Sequence, residues 1–369
     1  MGKKFGAQKA LLVSLALMLA LETGYAIPHR RDTSNIRPNN KVIVLPAVIH
    51  SPETKWGFGA GGTVTFHVGK PDVHTRTSNV QGIGLCTTRH QTIAGLDGTI
   101  YFPHENYILR MHSSYTYYPD KYWGLGNRTD SHKPVNFSYK QFYIFPQLLR
   151  RVYKDLYAGI SLEYQHVYRM SYDRNNFYDY KNVEGLQGGI IPGAGALITW
   201  DSRNNAFSPT KGEFLELAVT QFENQPKDFD YSNYIADFRK YVETRRNQVI
   251  AFQVYCNFNK GSTPILSLAS MGGHSMMRGY YSGRFRDKDM VAAQVEYRMH
   301  VWNRFGLVGF AGTGQVTNHL EDIGINQFKV AVGAGLRAAL KPQERLNLRL
   351  DYGVARNSHG FYLTVAEAF

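Results

Sequence analysis

The segment Asn247-Gln248-Val249-Ile250-Ala251-Phe252-Gln253-Val254-Tyr255-Cys256-Asn257-Phe258 decides the fold. Ile250, Phe252, Val254, Cys256 and Phe258 share one side of an extended chain, and Gln253, Tyr255 and Asn257 share the other. A two-residue period of this kind makes a strand with one apolar and one polar face. Toward the C-terminus the pattern recurs, with Val291, Ala293, Val295, Tyr297 and Met299 alternating against Gln294, Glu296, Arg298 and His300. Read outward in both directions, the chain from Lys41 onward is sixteen such segments separated by turn residues, with no helical period of useful length. They are 41–49, 56–68, 79–88, 92–102, 107–118, 137–149, 156–168, 188–200, 213–222, 231–241, 247–258, 290–301, 305–316, 328–340, 346–355 and 360–369.

The chain has 369 residues, a formal net charge of +13, 14% aromatic and 19% charged residues. A mean hydropathy of −0.35, with no apolar run of about 18 residues in the body of the chain, excludes a bundle of transmembrane helices. It leaves a membrane barrel open, because lipid-facing and lumen-facing residues alternate there and the mean stays low. An even strand number suits a closed antiparallel barrel. With the first strand rising from the periplasm, the longest connections, 119–136, 169–187 and 259–289, all follow odd-numbered strands and lie outside the cell. The 25 Tyr and 21 Phe, clustered at strand ends, suit interfacial girdles. The expected fold is therefore an all-β transmembrane barrel with a long extracellular loop.

Lys3, Lys4 and Lys9 precede an apolar stretch from Ala10 to Leu21, with small residues at Gly24 and Ala26, which reads as a secretory signal peptide over 1–26. A short periplasmic segment, 27–40, and the barrel, 41–369, follow. The leader holds +2 of the charge, which leaves +11 for a chain expected to favour anionic lipid and lipopolysaccharide, with no nucleic-acid partner. Cys256 reads as lipid-facing and Cys86, opposite Ile83 and Leu85, as lumen-facing, so no disulfide is expected.

Two segments go beyond architecture. Asp201-Ser202-Arg203-Asn204-Asn205-Ala206-Phe207-Ser208-Pro209-Thr210-Lys211-Gly212 resembles the D-x-R-(D/N)-N-x-x-x-P-x-x-G periplasmic turn of the BamA/TamA superfamily, the bacterial surface antigen barrels. Gly272-Gly273 followed by Arg278-Gly279-Tyr280 is similar to that family's G-G-x(n)-(V/I)-R-G-(F/Y) loop motif, with Met277 at the small aliphatic position. At the end of the chain Phe361, Leu363, Val365 and Phe369 alternate with Tyr362, Thr364 and Ala366, which resembles an outer-membrane assembly signal; Glu367 departs from it.

The resemblance implies a Gram-negative outer-membrane barrel whose 259–289 loop folds into the lumen, with Arg278 paired to an inner-wall acid. Glu296 is the expected partner and Arg298 its competitor. A second acid common in the family, on 305–316, is replaced by Gly312, which predicts a weaker or absent lock. The resemblance further implies work in outer-membrane protein insertion or protein translocation, with outer-membrane or secreted proteins as clients. A seam between 41–49 and 360–369 would open laterally. POTRA domains do not fit in the stretch before the first strand, so a separate periplasmic partner is expected in their place. The alternative is a passive channel or structural barrel without clients.

Gly57, Gly59 and Gly62 match a dinucleotide fingerprint but lie inside a strand with no helix behind it. Gly273-His274-Ser275 lacks the closing glycine of a nucleophile elbow. The histidines are scattered without a catalytic pair, and His319, Glu321 and Asp322 read as a solvated loop rather than a metal site. No enzyme activity, cofactor or metal is expected.

Overall fold

A computed structural model describes residues 41–69, 75–130, 134–172, 183–205, 208–224, 229–341 and 345–369. The expected signal peptide and 27–40 segment lie outside the described residues. The strands are β1 Lys41–Ser51, β2 Lys55–Phe66, β3 Ser78–Thr87, β4 Thr92–Tyr101, β5 Tyr107–Tyr122, β6 Val135–Tyr153, β7 Leu156–Tyr172, β8 Gly189–Asp201 and β9 Gly212–Glu223. They continue as β10 Asp230–Arg245, β11 Gln248–Gly261, β12 Ala269–Met271, β13 Phe285–Asp287, β14 Asp289–Trp302, β15 Phe305–Thr317, β16 Lys329–Lys341, β17 Leu346–Ala355 and β18 Ser358–Val365. Sixteen of them close into one antiparallel barrel in chain order, while β12 and β13 form a separate ribbon within the loop between β11 and β14. That ribbon is absent from the sequence expectation, because three residues are too few to show a period.

The period explains the wall. On β14, Val295 and Tyr297 are exposed on the outer face, whereas Gln294, Glu296 and Arg298 are buried inside. Lipid offers backbone groups no hydrogen-bond partners, so a closed ladder is the way an all-strand chain crosses a bilayer. The long connections gather at one end, called here the long-loop end, and the turns 154–155, 246–247 and 303–304 at the other.

One inward reading changes. Cys86 pairs directly with Phe58, an exposed outer-face residue, so it faces outward. The lumen side of β3 carries Gln81, whose partner Asp97 lines an internal cavity with it. Glycines at 82 and 84 on the outer side leave apolarity unable to tell the two faces apart. Both cysteines are free.

The last strand stops at Val365 rather than Phe369. Ala366 takes a left-handed φ of 67°, and the tail turns into the lumen, where Glu367 meets Arg337 at 2.7 Å and Phe369 packs against Tyr241, Val249 and Ala251. The residue that breaks the alternation supplies the reason. A continuing strand would put the Glu367 carboxylate on the lipid face, where a charge is costly, and the inward turn gives it an arginine instead.

Candidate functional site

Residues 262–288 leave the wall after β11 and fold into the lumen. The β12–β13 ribbon pairs Ala269 with Asp287 and Met271 with Phe285, and presents the Gly272 to Arg284 segment to the wall. Met271, Met277, Tyr280 and Phe285 of the loop form one buried cluster with Met290, Val316 and Ala331, each large side chain contributing about 1.5–3 kcal/mol by leaving water. From above, the loop is tied to the end of β5 by Arg286 with Asp120 at 2.9 Å and to the β5–β6 connection by Arg284 Nη2 with the Thr129 carbonyl at 2.8 Å.

The motif residues sit where this dock is tightest. Arg278 is 1% exposed. Its guanidinium donates to Glu296 of β14 and to Asp351 of β17, and lies 3.6 Å from the centre of the Phe310 ring. One planar cation thus bridges two acids and covers an aromatic face, a geometry a lysine does not reproduce. Gly279 donates its N–H to the Tyr362 hydroxyl at 3.0 Å, which donates onward to the Tyr280 carbonyl at 3.1 Å. Gly272 has a φ of 120°, and a Cβ there would lie 2.0 Å from the Tyr281 carbonyl oxygen; both facts require glycine. Gly273-His274-Ser275 serves as backbone, since Arg349 donates to the His274 carbonyl and Gln294 to the Ser275 carbonyl, each at 2.9 Å.

Glu296 has both oxygens in use. One accepts from Arg278 and the other from Arg298 at 2.8 Å, so the two arginines share the carboxylate rather than compete for it. The loop is held by two acids despite Gly312, because Asp351 provides the second from a different strand. A Cβ at Gly312 would stand 3.2 Å from the Met277 sulfur. Glycine at 312 and methionine at 277 are therefore one departure: the first makes the room that the second fills.

The Asp201–Gly212 turn closes the short-loop end between β8 and β9. Asp201 accepts from Arg203 at 2.8 Å and from Arg76 at 3.1 Å. Asn204 Oδ1 accepts the main-chain N–H groups of Thr210 and Lys211, and Asn205 Oδ1 that of Ser208. Pro209 lies within the stretch these bonds close. Arg76 also donates to Glu105, which takes Arg151 as well, so ion pairs join three turns and the end of β6. Burial alone would push the Glu105 carboxyl up; hydrogen bonds and charge from Arg76 overcome it and hold it below the usual range. Gly212 has a φ of 100°, and a Cβ there would sit 2.2 Å from the Ser202 carbonyl oxygen. Gly212→Ala is expected to lower the unfolding free energy by about 2 kcal/mol in urea titrations in detergent micelles; an unchanged midpoint would remove the turn's claim to need glycine.

The model of the Omp85 superfamily domain matches residues 99–369. The chain belongs to the Omp85 superfamily. Its fold is similar to that of BamA from Haemophilus ducreyi lacking POTRA domains 1–3, with a TM-score of 0.59 at 14% identity over 96% of this chain and 78% of that one. CdiB from Acinetobacter baumannii gives 0.55 at 9% identity over 88% of this chain and 59% of that one. CdiB from Escherichia coli gives 0.55 at 10% identity over 93% and 63%, so this chain spans about six tenths of the CdiB chains. A search of curated proteins gave no match. The Omp85 barrel is a fold of bacterial outer membranes, and its lumen loop and charge cluster are where this member concentrates buried charge. Asp351 escaped the sequence reading, although an Arg349-x-Asp351 pair on an inward face signals a buried charge that needs a partner.

Proposed function

We propose that this Omp85 barrel lies in the outer membrane of a Gram-negative bacterium with its short-loop end in the periplasm. There it assists assembly of other outer-membrane proteins or passage of proteins across the membrane. The observation that carries the reading is a lumen loop locked by Arg278 beside a seam joined by a single register pair, His50 with Leu363. The seam is also low. β18 has 8 residues, which at about 3.3 Å per residue and a tilt near 45° span roughly 19 Å, less than an apolar band of about 25 Å. Bilayer thinning there lowers the cost of inserting a strand whose backbone groups need pairing in lipid. Clients would be outer-membrane or secreted proteins. The ion-paired rim around Arg76, Glu105 and Asp201 is where a periplasmic partner would dock, and the basic chain would favour anionic lipid and lipopolysaccharide.

The test is a quantitative outer-membrane proteome of a deletion strain, with Arg278→Ala as a third arm. Selective loss of a few surface or barrel proteins in both is expected; an unchanged proteome would overturn the reading. One observation favours the passive alternative. A polar cavity of about 260 Å³ lines the β3–β6 side of the lumen between Gln81, Asp97, Arg110 and Gln147, with an Asp97–His112 pair at 2.5 Å. A steady single-channel conductance of the purified barrel would support that second reading.

A further inference from the structure

Near the short-loop end, far from the docked loop in sequence, two rows of side chains cross the inner wall in register. Thr99 of β4 pairs with Arg110 of β5, and Arg110 with Gln147 of β6. One pleat away, Gln81 of β3 pairs with Asp97 of β4, and Asp97 with His112 of β5. These rows line the cavity of about 260 Å³. The Asp97 and His112 side chains are 46% and 44% exposed, so the cavity is open to the lumen on their side.

Alternation alone accounts for polar residues on this wall. It does not account for how their hydrogen bonds are spent. The charged members are used on one another: Arg110 donates at 2.7 Å to Glu216 of β9, four strands away round the barrel, and Thr199 donates to the same oxygen at 3.0 Å. Asp97 Oδ1 lies 2.5 Å from His112 Nδ1. The amides are left over. Asn79, Gln81 and Gln147 line the cavity and make no side-chain hydrogen bond among the described residues. Gln147 is the telling one, because it is only 7% exposed, and a side-chain amide buried that far ordinarily has a partner.

We propose that this cavity is a binding site for one neutral sugar ring. Charge selects against the alternatives, since an anion there meets the Asp97 carboxylate and a cation meets the Arg110 guanidinium, while a neutral molecule meets neither penalty. Hydrogen bonding selects for hydroxyls. An amide donates at one end and accepts at the other, and a hydroxyl does both from a single atom, so neighbouring ring hydroxyls satisfy an amide whichever end it presents. Asp97, with one oxygen committed to His112, has the other to accept from a hydroxyl, and Phe145 supplies an apolar face for ring C–H groups. Size agrees: the volume equals about nine waters and falls below the roughly 300–1,000 Å³ of pockets that take larger ligands. The site goes beyond the proposed assembly role. Binding is read on the folded barrel alone, so its failure leaves that role standing.

The test is saturation-transfer NMR on the purified barrel in lauryldimethylamine oxide, a detergent without a sugar head group. D-glucose, glucose 6-phosphate and glucosamine are the probes, which hold the ring constant and vary the charge. Glucose is expected to bind with a millimolar Kd, and each charged analogue at least fivefold more weakly. Gln147→Leu removes the amide at similar volume and should weaken glucose about tenfold, in barrels that keep the folded mobility in unheated gels. Glu216→Gln releases Arg110 and should reverse the order, so that glucose 6-phosphate binds more tightly than glucose; a residue with a purely structural role would not change charge preference. With maltotriose, transfer should be confined to one terminal ring. No transfer to glucose, or equal transfer in the parent and in Gln147→Leu, would overturn the site. A parent that prefers either charged analogue would overturn the neutral class, and even transfer along all three maltotriose rings would overturn the one-ring size. Should Gln147→Leu fail to fold, Gln81→Leu, at an exposed position on the lumen wall, decides: weaker glucose binding supports the site and unchanged binding overturns it.

Discussion

Alanine in place of Arg278 is expected to lower the unfolding free energy by about 3 kcal/mol, the usual cost of removing one member of a buried ion pair. Two carboxylates lose a partner at once, and neither can reach water, since Glu296 and Asp351 are 0% exposed. Arg298 at 2.8 Å from Glu296 and Arg337 at 2.6 Å from Asp351 remain, and they keep the loss from doubling. The Phe310 ring loses its cation as well. Lysine should recover roughly half of the loss, because it returns the charge without the two-pronged donor geometry. The measurement is urea unfolding in micelles, followed by tryptophan fluorescence and by gel mobility. If Arg278→Ala unfolds at the parental midpoint, the guanidinium is not what holds the loop.

Most of the barrel was legible because lipid outside and water inside force a two-residue period on every strand that crosses. The segment 346–355 and β17 Leu346–Ala355 agree at both ends, and 305–316 misses β15 by one residue. Strands that run past the bilayer lose that constraint, so 137–149 falls short of β6, Val135–Tyr153, by two residues at the long-loop end and four at the other. Where the outer face is built from Gly82 and Gly84, the period survives but its direction does not, and Cys86 was placed on the wrong side. The loop motif located Arg278, and the alternation of 290–301 located its Glu296 partner. Asp351 was harder to find because it lies 73 residues from Arg278 on a strand read as ordinary wall. Phe369 was misplaced because one left-handed residue, Ala366, reverses every orientation after it, and a backbone dihedral at an alanine leaves no trace in hydrophobic pattern. Glu367 carried the hint, as the one charge at a position where the alternation called for an apolar side chain.

Gly353→Ala should undo the dock without touching a charge. The loop backbone crosses β17 at a glycine-to-glycine contact: a Cβ on Gly353 would fall 2.5 Å from the Arg278 carbonyl oxygen and 2.7 Å from the Gly279 nitrogen, while a Cβ on Gly279 would meet Val354 main-chain atoms at 3.0 Å. Side chains can rotate away from a methyl group, but two backbones held by strand pairing and by the Gly279 to Tyr362 bond cannot. The loop has to lift, and lifting it draws Arg278 off both acids and Met277 out of the space beside Gly312. We therefore expect a loss of about 4 kcal/mol, more than overpacking alone produces, because the ion pairs go with the contact. Gly309→Ala is the control on the neighbouring wall, since nothing lies within 4 Å of a Cβ there, and it should change stability by less than about 0.5 kcal/mol. The two loop variants should also fail to add. Once Gly353→Ala has displaced the loop, Arg278→Ala has no pairing left to remove, so the double variant should unfold close to the Gly353→Ala midpoint. Full additivity would mean that Arg278 keeps its partners when the backbone contact is lost, and the lock would then reside in the side chain alone.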